Sequence, residues 1–289
     1  MIKLQQLREW IFIPEPIGTL DKLAIYSAKI EYLLIRLFLK IFLSKKKRTK
    51  FWYKSNFRLG RLIPHNSWIK YDGFLFLIRA REDDINNFLP SNELTIKKII
   101  SELNEDDNFV DVGANIGKYV ILASNQIKKG RIIALEPNPE TFSILKENCQ
   151  ANNLEIECID IAASDTDGTS RLYVGKWGSR AYSMERLNSK FIDIKTKTID
   201  SLISELGLKK IDWMLIDVEG AESKVLDGIK NGLRIIKNII IEIHSDENYT
   251  QVTKILKENN FKVTKIEDGY DKFILGTHSE NQTLPKNQI

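Results

Sequence analysis

Cysteine and histidine are scarce in this chain, with two of the first and three of the second among 289 residues. Cys149 and Cys158 have no C-x-x-C spacing, so neither a disulfide framework nor a zinc site is indicated, and a metal-free protein in a reducing cytoplasm is expected. A long uncharged apolar run is missing as well. The most apolar stretch, Leu20 to Leu43, carries Lys29, Glu31, Arg36 and Lys40. Each would cost roughly 2.5–3.5 kcal/mol near a bilayer centre, which excludes a transmembrane helix. The opening MIKLQQLREWIFIPEPIG lacks the pattern of a cleavable signal, so secretion is not expected. No internal repeat occurs, and no two prolines are adjacent.

Charge of one sign is scarce where chemistry would sit. Residues 1–60 hold 13 Lys/Arg against 4 Asp/Glu, whereas residues 61–289 hold 30 against 35. The larger part therefore offers no basic face to a nucleic acid. Within the basic segment, Lys22, Lys29, Arg36 and Lys40 fall on one side of a helix at spacings of seven, seven and four, leaving a broad apolar face that Glu31 interrupts. Lys45-Lys-Lys-Arg48 with Lys50 and then Phe51-Trp-Tyr53 follow. Two readings share this pattern. One is a surface anchor touching a membrane through residues 20–50, peripheral at its inner face. The other is a helix docked on its own protein or a second subunit, followed by a solvated connector.

What is present centres on Phe109-Val-Asp-Val-Gly-Ala-Asn-Ile-Gly117, a short apolar strand holding Asp111, then a glycine-bracketed turn, then a helix from Lys118 to Gln126. Gly113 and Gly117 mark a place where a side chain would block the chain's reversal or a ligand's approach. A dinucleotide fold wants G-x-G-x-x-G, whereas this turn reads Gly113-x-Asn115-x-Gly117 with Lys118 at the third glycine's place. S-adenosylmethionine fits better, with Asp111 near its methionine part. Some twenty residues on, Arg131-Ile-Ile-Ala-Leu-Glu136 repeats the pattern of a strand ending in an acid, and such a carboxylate accepts from two ribose hydroxyls at once. Asp160, after the strand Ile156–Ile159, is read as an acceptor for an adenine amino group, with a plain turn former as the alternative.

The densest chemistry lies further on. Trp213-Met-Leu-Ile-Asp217-Val-Glu219-Gly-Ala-Glu222 runs from strand to loop to helix, with Glu222 read as a helix N-terminal acid. In Ile239-Ile-Ile-Glu242-Ile-His244, alternation places Glu242 and His244 on one face. Strands and helices alternate from Asn108 onward, which predicts a doubly wound parallel sheet whose strand ends open onto one site. Ser67 to Arg79 reads as a β-hairpin turning at Asp72-Gly73. Asp200 is a candidate N-cap, Gly175 to Arg186 a loop that could shape an acceptor site, and Phe261 to Gly276 a closing hairpin.

With these residues in view, the chain resembles the FkbM-type methyltransferases, a branch of the class I S-adenosylmethionine-dependent enzymes. VDVGANIG (Val110 to Gly117), ALEPNP (Ala134 to Pro139), AASDTDG (Ala162 to Gly168), TIDSL (Thr198 to Leu202), IDVEGAE (Ile216 to Glu222) and EIH (Glu242 to His244) carry the resemblance, which covers about Trp68 to Gly276. It implies a Rossmann-like α/β fold with a seven-stranded sheet, mostly parallel with an antiparallel strand from the last hairpin. It also implies S-adenosylmethionine as methyl donor and a hydroxyl acceptor on a sugar, glycan or small metabolite. The family often has lysine two residues before the Asp of DVEG, where this chain has Leu215.

The expected organisation is a basic amphipathic helical extension at 1–60, an accessory hairpin and helix at 61–105, the cofactor-binding domain at 106–277 and a frayed tail at 278–289. Asp111, Gly113, Asn115, Gly117, Glu136 and Asp160 are expected to hold the cofactor, and Asp217, Glu242 and His244 to handle the acceptor's proton. Amino-group methylation of RNA or protein is the nearest rival chemistry. Such enzymes usually carry an N/D-P-P-aromatic motif, where this chain has Asp217-Val-Glu-Gly. A cofactor-binding scaffold tethered by its N-terminal helix is a rival of another class.

Overall fold

The structure is a computed structural model that describes residues 15–42, 59–82, 84–88, 94–173, 191–268 and 271–279. In chain order its elements are β1 (Glu15–Pro16), α1 (Thr19–Phe42), β2 (Ser67–Tyr71), β3 (Phe74–Ile78), α2 (Leu94–Ser101), β4 (Phe109–Val112), α3 (Lys118–Ala123), β5 (Ile132–Leu135) and α4 (Pro139–Ala151). There follow β6 (Glu157–Ile159), β7 (Ala162–Ala163), β8 (Gly168–Tyr173), β9 (Phe191–Lys197), α5 (Ile199–Glu205), β10 (Ile211–Ile216), α6 (Glu222–Asp227), β11 (Ile236–Glu242), α7 (Asp246–Glu258), β12 (Phe261–Asp268) and β13 (Asp271–His278).

Every residue of β4 and β5 is buried, as expected for strands covered on both faces at the centre of a parallel sheet. The main sheet has seven strands in the order β12-β13-β11-β10-β4-β5-β6. The strands from β11 to β6 run parallel, and β13 is antiparallel to both β11 and β12. The expected fold class is thus the observed one. The antiparallel strand is the last in sequence, but it sits inside the sheet between β11 and β12. Side chains of one strand alternate between two apolar layers: Leu215 and Ile240 pack on one side, Met214, Ile216, Ile239 and Ile241 on the other. β4 has β5 on one flank and β10 on the other, so the strand order reverses there and a crevice opens at the carboxyl ends.

Asp72 (φ 49) and Gly73 (φ 89) make the tight turn between β2 and β3, as their sequence predicts. The hairpin docks on α4. The backbone N–H of Leu75 donates to Asn152 Oδ1 at 2.8 Å, and that of Leu77 to Asn148 Oδ1 at 2.6 Å. Asn148 also donates to the carbonyl of Ile116 at 2.9 Å, tying hairpin, helix and glycine turn together. A small sheet of order β7-β9-β8 lies beside the main one.

Three local expectations change. The N-cap of α5 is Thr198, which accepts from Ser201 N, whereas Asp200 sits within the helix and accepts the backbone N–H groups of Lys230, Asn231 and Gly232. His278 belongs to β13 and packs edge-on against Phe261, so order extends into the stretch read as a tail, whose residues 280–289 lie outside the described ones. Lys29, read as part of a basic stripe, is 1% exposed above the Tyr26 ring, and burial lowers its pKa to about 8.

Candidate active site

The turn after β4 takes its shape from left-handed residues, Gly113 (φ 91), Asn115 (φ 50) and Gly117 (φ 89). Gly113 N and Ala114 N both donate to the carbonyl of Leu135 at 2.9 Å, which folds the turn over β5. A Cβ on Gly113 would stand 1.9 Å from the carbonyl oxygen of Asp217, and one on Gly117 would stand 2.5 Å from Leu145 Cδ1. The crowding atoms are the protein's own, from the end of β10 and the middle of α4.

Glu136 follows β5 and is almost fully buried. Its Oε2 accepts from Asn115 N at 2.9 Å and its Oε1 from Asn138 N at 2.9 Å. Each oxygen retains a second acceptor direction. Burial pushes its pKa up to about 7, against the two backbone hydrogen bonds and the charge of Arg79, which pull it down. Arg79, from the end of the accessory hairpin, is itself buried. It is held bidentately by Asp84 at 2.9 and 2.7 Å, donates to Thr141 Oγ1 at 2.6 Å and reaches Asn115 Oδ1 at 3.4 Å.

A cleft joins these parts. Asp111, Gly113, Asn115, Glu136, Asp217, Glu219 and Glu242 line it, and Ile161, Ala162 and Ala163 give it an apolar wall. Gly117 stays behind this wall, as packing of α3 on α4. Asp160 is not brought to the cleft: its carboxylate pairs with Lys195 at 3.0 Å in solvent. The neighbouring Ile161 takes the wall position. The loop Gly175 to Arg186 lies outside the described residues.

His244 lies beyond Glu242, in a second, more open depression that shares Glu242 with the cleft. Its Nδ1 is 2.6 Å from Glu222 Oε1. Its Nε2 faces Asp217 at 3.8 Å, Glu219 at 3.6 Å and Glu242 at 3.6 Å. Burial alone would lower this imidazole's pKa. The Glu222 hydrogen bond and the charges of Asp217, Glu219 and Glu222 outweigh it and raise the value to about 9. Glu222 is fully buried and also holds Gly220 N and the Asn248 side chain, so its part is larger than that of a helix N-terminal acid. One oxygen each from Asp217 and Glu242 and one nitrogen of His244 lie within 4.8 Å of one another, a spacing that would suit a cation as well as a proton.

Six of the nine sequence-derived site residues line the cleft, His244 adjoins it beside Asp217 and Glu242, Gly117 packs α3 on α4, and Asp160 faces solvent. Reading by motif missed Arg79, Lys118 and the role of Glu222. Lys118 lines the cleft with its ammonium 4.6 Å from the Tyr119 ring centre. Its position directly after Gly117 was the available signal. Arg79 had none, because its partners are distant in sequence.

Residues 111–263 match the family described as Methyltransferase FkbM domain. Hexuronic acid methyltransferase AglP of Haloferax volcanii is 31% identical over 186 residues, covering 63% of this chain and 74% of that protein. The 2-O-methyltransferase NoeI of Sinorhizobium fredii is 26% identical over 180 residues, covering 55% and 73%. The 31-O-demethyl-FK506 methyltransferase FkbM of Streptomyces tacrolimicus is 25% identical over 200 residues, covering 58% and 77%.

Proposed function

The chain belongs to the FkbM methyltransferase family, and from that premise we propose that it moves a methyl group from S-adenosylmethionine to a hydroxyl of a sugar, glycan or small metabolite. The observation that carries this reading is the one cleft that Asp111, Glu136, Asp217 and Glu242 line together. Two relatives are named for a numbered oxygen and a third for a hexuronic acid, which supports an oxygen acceptor on a sugar or small metabolite. The free thiols of Cys149 and Cys158, with sulfurs 4.0 Å apart, favour work in a reducing cytoplasm.

The residues fit the cofactor. Glu136, already oriented by Asn115 N and Asn138 N, offers its remaining acceptor directions to two ribose hydroxyls. Ile161, Ala162 and Ala163 give an apolar wall for an aromatic base, and Asp111 faces the place for an ammonium. When bound, S-adenosylmethionine supplies a methyl carbon made electrophilic by its sulfonium.

The protein's own work is positioning and proton transfer. Holding the acceptor oxygen in line removes a large entropic part of the barrier. His244 Nε2 takes the hydroxyl proton, worth about 10² to 10⁴-fold, and Glu222 on Nδ1 fixes the ring's direction. Asp217 and Glu242 stabilise the imidazolium that forms.

Calorimetric titration with S-adenosylmethionine, with NAD alongside and Glu136→Ala as control, tests the cofactor. Transfer of a labelled methyl group to a panel of glycans and hydroxylated small molecules then tests the acceptor. A preference for NAD, or full transfer by Asp111→Ala or Asp217→Ala, would sink these assignments.

A further inference from the structure

α1 has two apolar faces, and one of them is buried among the described residues. Ala24, Ile25 and Ala28 are buried toward the accessory sheet. Leu20, Leu23, Ile30, Leu34, Phe38 and Ile41 are 58 to 72% exposed. At 3.6 residues per turn these six fall within an arc of about 80°. Single exposed leucines are ordinary on a protein surface, but a stripe from Leu20 to Ile41, with Ser27 inside it and Glu31 at its edge, marks a contact face.

The sequence states what covers it. Lys45, Lys46, Lys47, Arg48 and Lys50 follow the end of α1 at Phe42 within eight positions, and Phe51-Trp-Tyr53 comes next. We propose that this stripe docks on a bilayer surface carrying anionic headgroups, with α1 lying in the plane of the interface and the basic run against the headgroups. Charge decides between occupants. A second copy packed parallel to α1 would set its basic run against this one, and one packed antiparallel would set each run beside the positive end of the other's helix. Anionic lipid neutralises them, and aromatic side chains are at home at that depth. Spanning is not the alternative, because among the described residues no helix is long and apolar enough to cross a membrane. α1 also lies outside residues 111–263, so this contact stands apart from the methyl-transfer reading.

Flotation of the full chain with phosphatidylcholine vesicles, with and without phosphatidylglycerol, tests it. The wild type is expected to float only with the anionic vesicles and to be released by salt. Leu23→Glu/Leu34→Glu, which leaves the docked face untouched, and a Lys45→Gln/Lys46→Gln/Lys47→Gln/Arg48→Gln variant are each expected to lower partitioning by at least about tenfold. Thermal melts of both variants establish that they fold. Equal flotation of wild type and Leu23→Glu/Leu34→Glu, or no flotation of wild type, overturns the proposal. So does a wild-type dimer in sedimentation that the two glutamates convert to a monomer, which would assign the face to a second copy.

Discussion

The carbonyl oxygen of Asp217 occupies the space where Gly113 would carry a Cβ, 1.9 Å from that position. The turn after β4 and the strand end after β10 are therefore one contact, and the cleft can exist only while position 113 has no side chain. Gly113→Ala must both separate these strand ends and hold a left-handed φ of 91. The left-handed cost alone is roughly 1–2 kcal/mol. A melting temperature lowered by about 4 °C or more is expected, with loss of S-adenosylmethionine binding in calorimetry. An unchanged melt would mean that the strand ends relax freely.

Glu136 gives the cofactor a pH dependence. In the proposed binding mode ribose hydroxyls donate to the ionised carboxylate, and burial raises this group's pKa to about 7. Affinity for S-adenosylmethionine should rise with pH between 6 and 8 and level off above, with protons released on binding in buffers of different ionisation enthalpy. Glu136→Gln should weaken binding and flatten the dependence. A dependence that persists in the variant would place the titrating group elsewhere.

His244 gives turnover a different one. Its carboxylate neighbours keep it protonated up to about 9, so the neutral form that accepts a proton is scarce at pH 7. The rate under saturating substrates should climb about tenfold per pH unit below that value. His244→Gln should abolish the limb, and Glu222→Gln should move it to lower pH. An unchanged profile in EDTA would show that a proton, and not a divalent ion, occupies the group.

The same residue links pH to folding. Its folded pKa lies above the unfolded 6.5, so its contacts add stability in full below about 6.5, and that contribution is lost as pH rises through about 9. The effect is on the order of 2–3 kcal/mol. Urea unfolding at pH 6 and pH 9.5 should differ by more in wild type than in His244→Gln.

Arg79 and Asp84 form a buried bidentate pair. Removing one partner strands the other's charge, so Arg79→Met should cost about 3–5 kcal/mol in urea unfolding. An Arg79→Met/Asp84→Leu double variant should lose less than the sum of the singles. Because Arg79 also reaches Asn115, cofactor affinity should fall in both.

Local pattern was enough for much of this molecule. The apolar runs of β4, β5, β10 and β11, their acids, the glycine turn and the Asp72-Gly73 hairpin are periodic or short-range features, written in consecutive residues. For that reason the seven-stranded sheet and most of the acids that line the cleft were legible. Where one side chain had several local options, the reading failed: Thr198 took the cap assigned to Asp200, and Asp160 turned to Lys195 while Ile161 faced the cleft.

What the sequence by itself determined is the order of strands, turns and acids along the chain, since secondary structure and switch-point topology follow from periodicity and handed connections. Only the tertiary structure decided that Glu222 would hold His244, that Arg79 would reach the glycine turn from the accessory hairpin, and that Lys29 would be buried while Leu20, Leu23 and Leu34 were left exposed. Those outcomes depend on which surfaces meet across 22 to 36 residues of chain or more. Burial and charge pairing act through space, and no spacing of residues in one dimension records them.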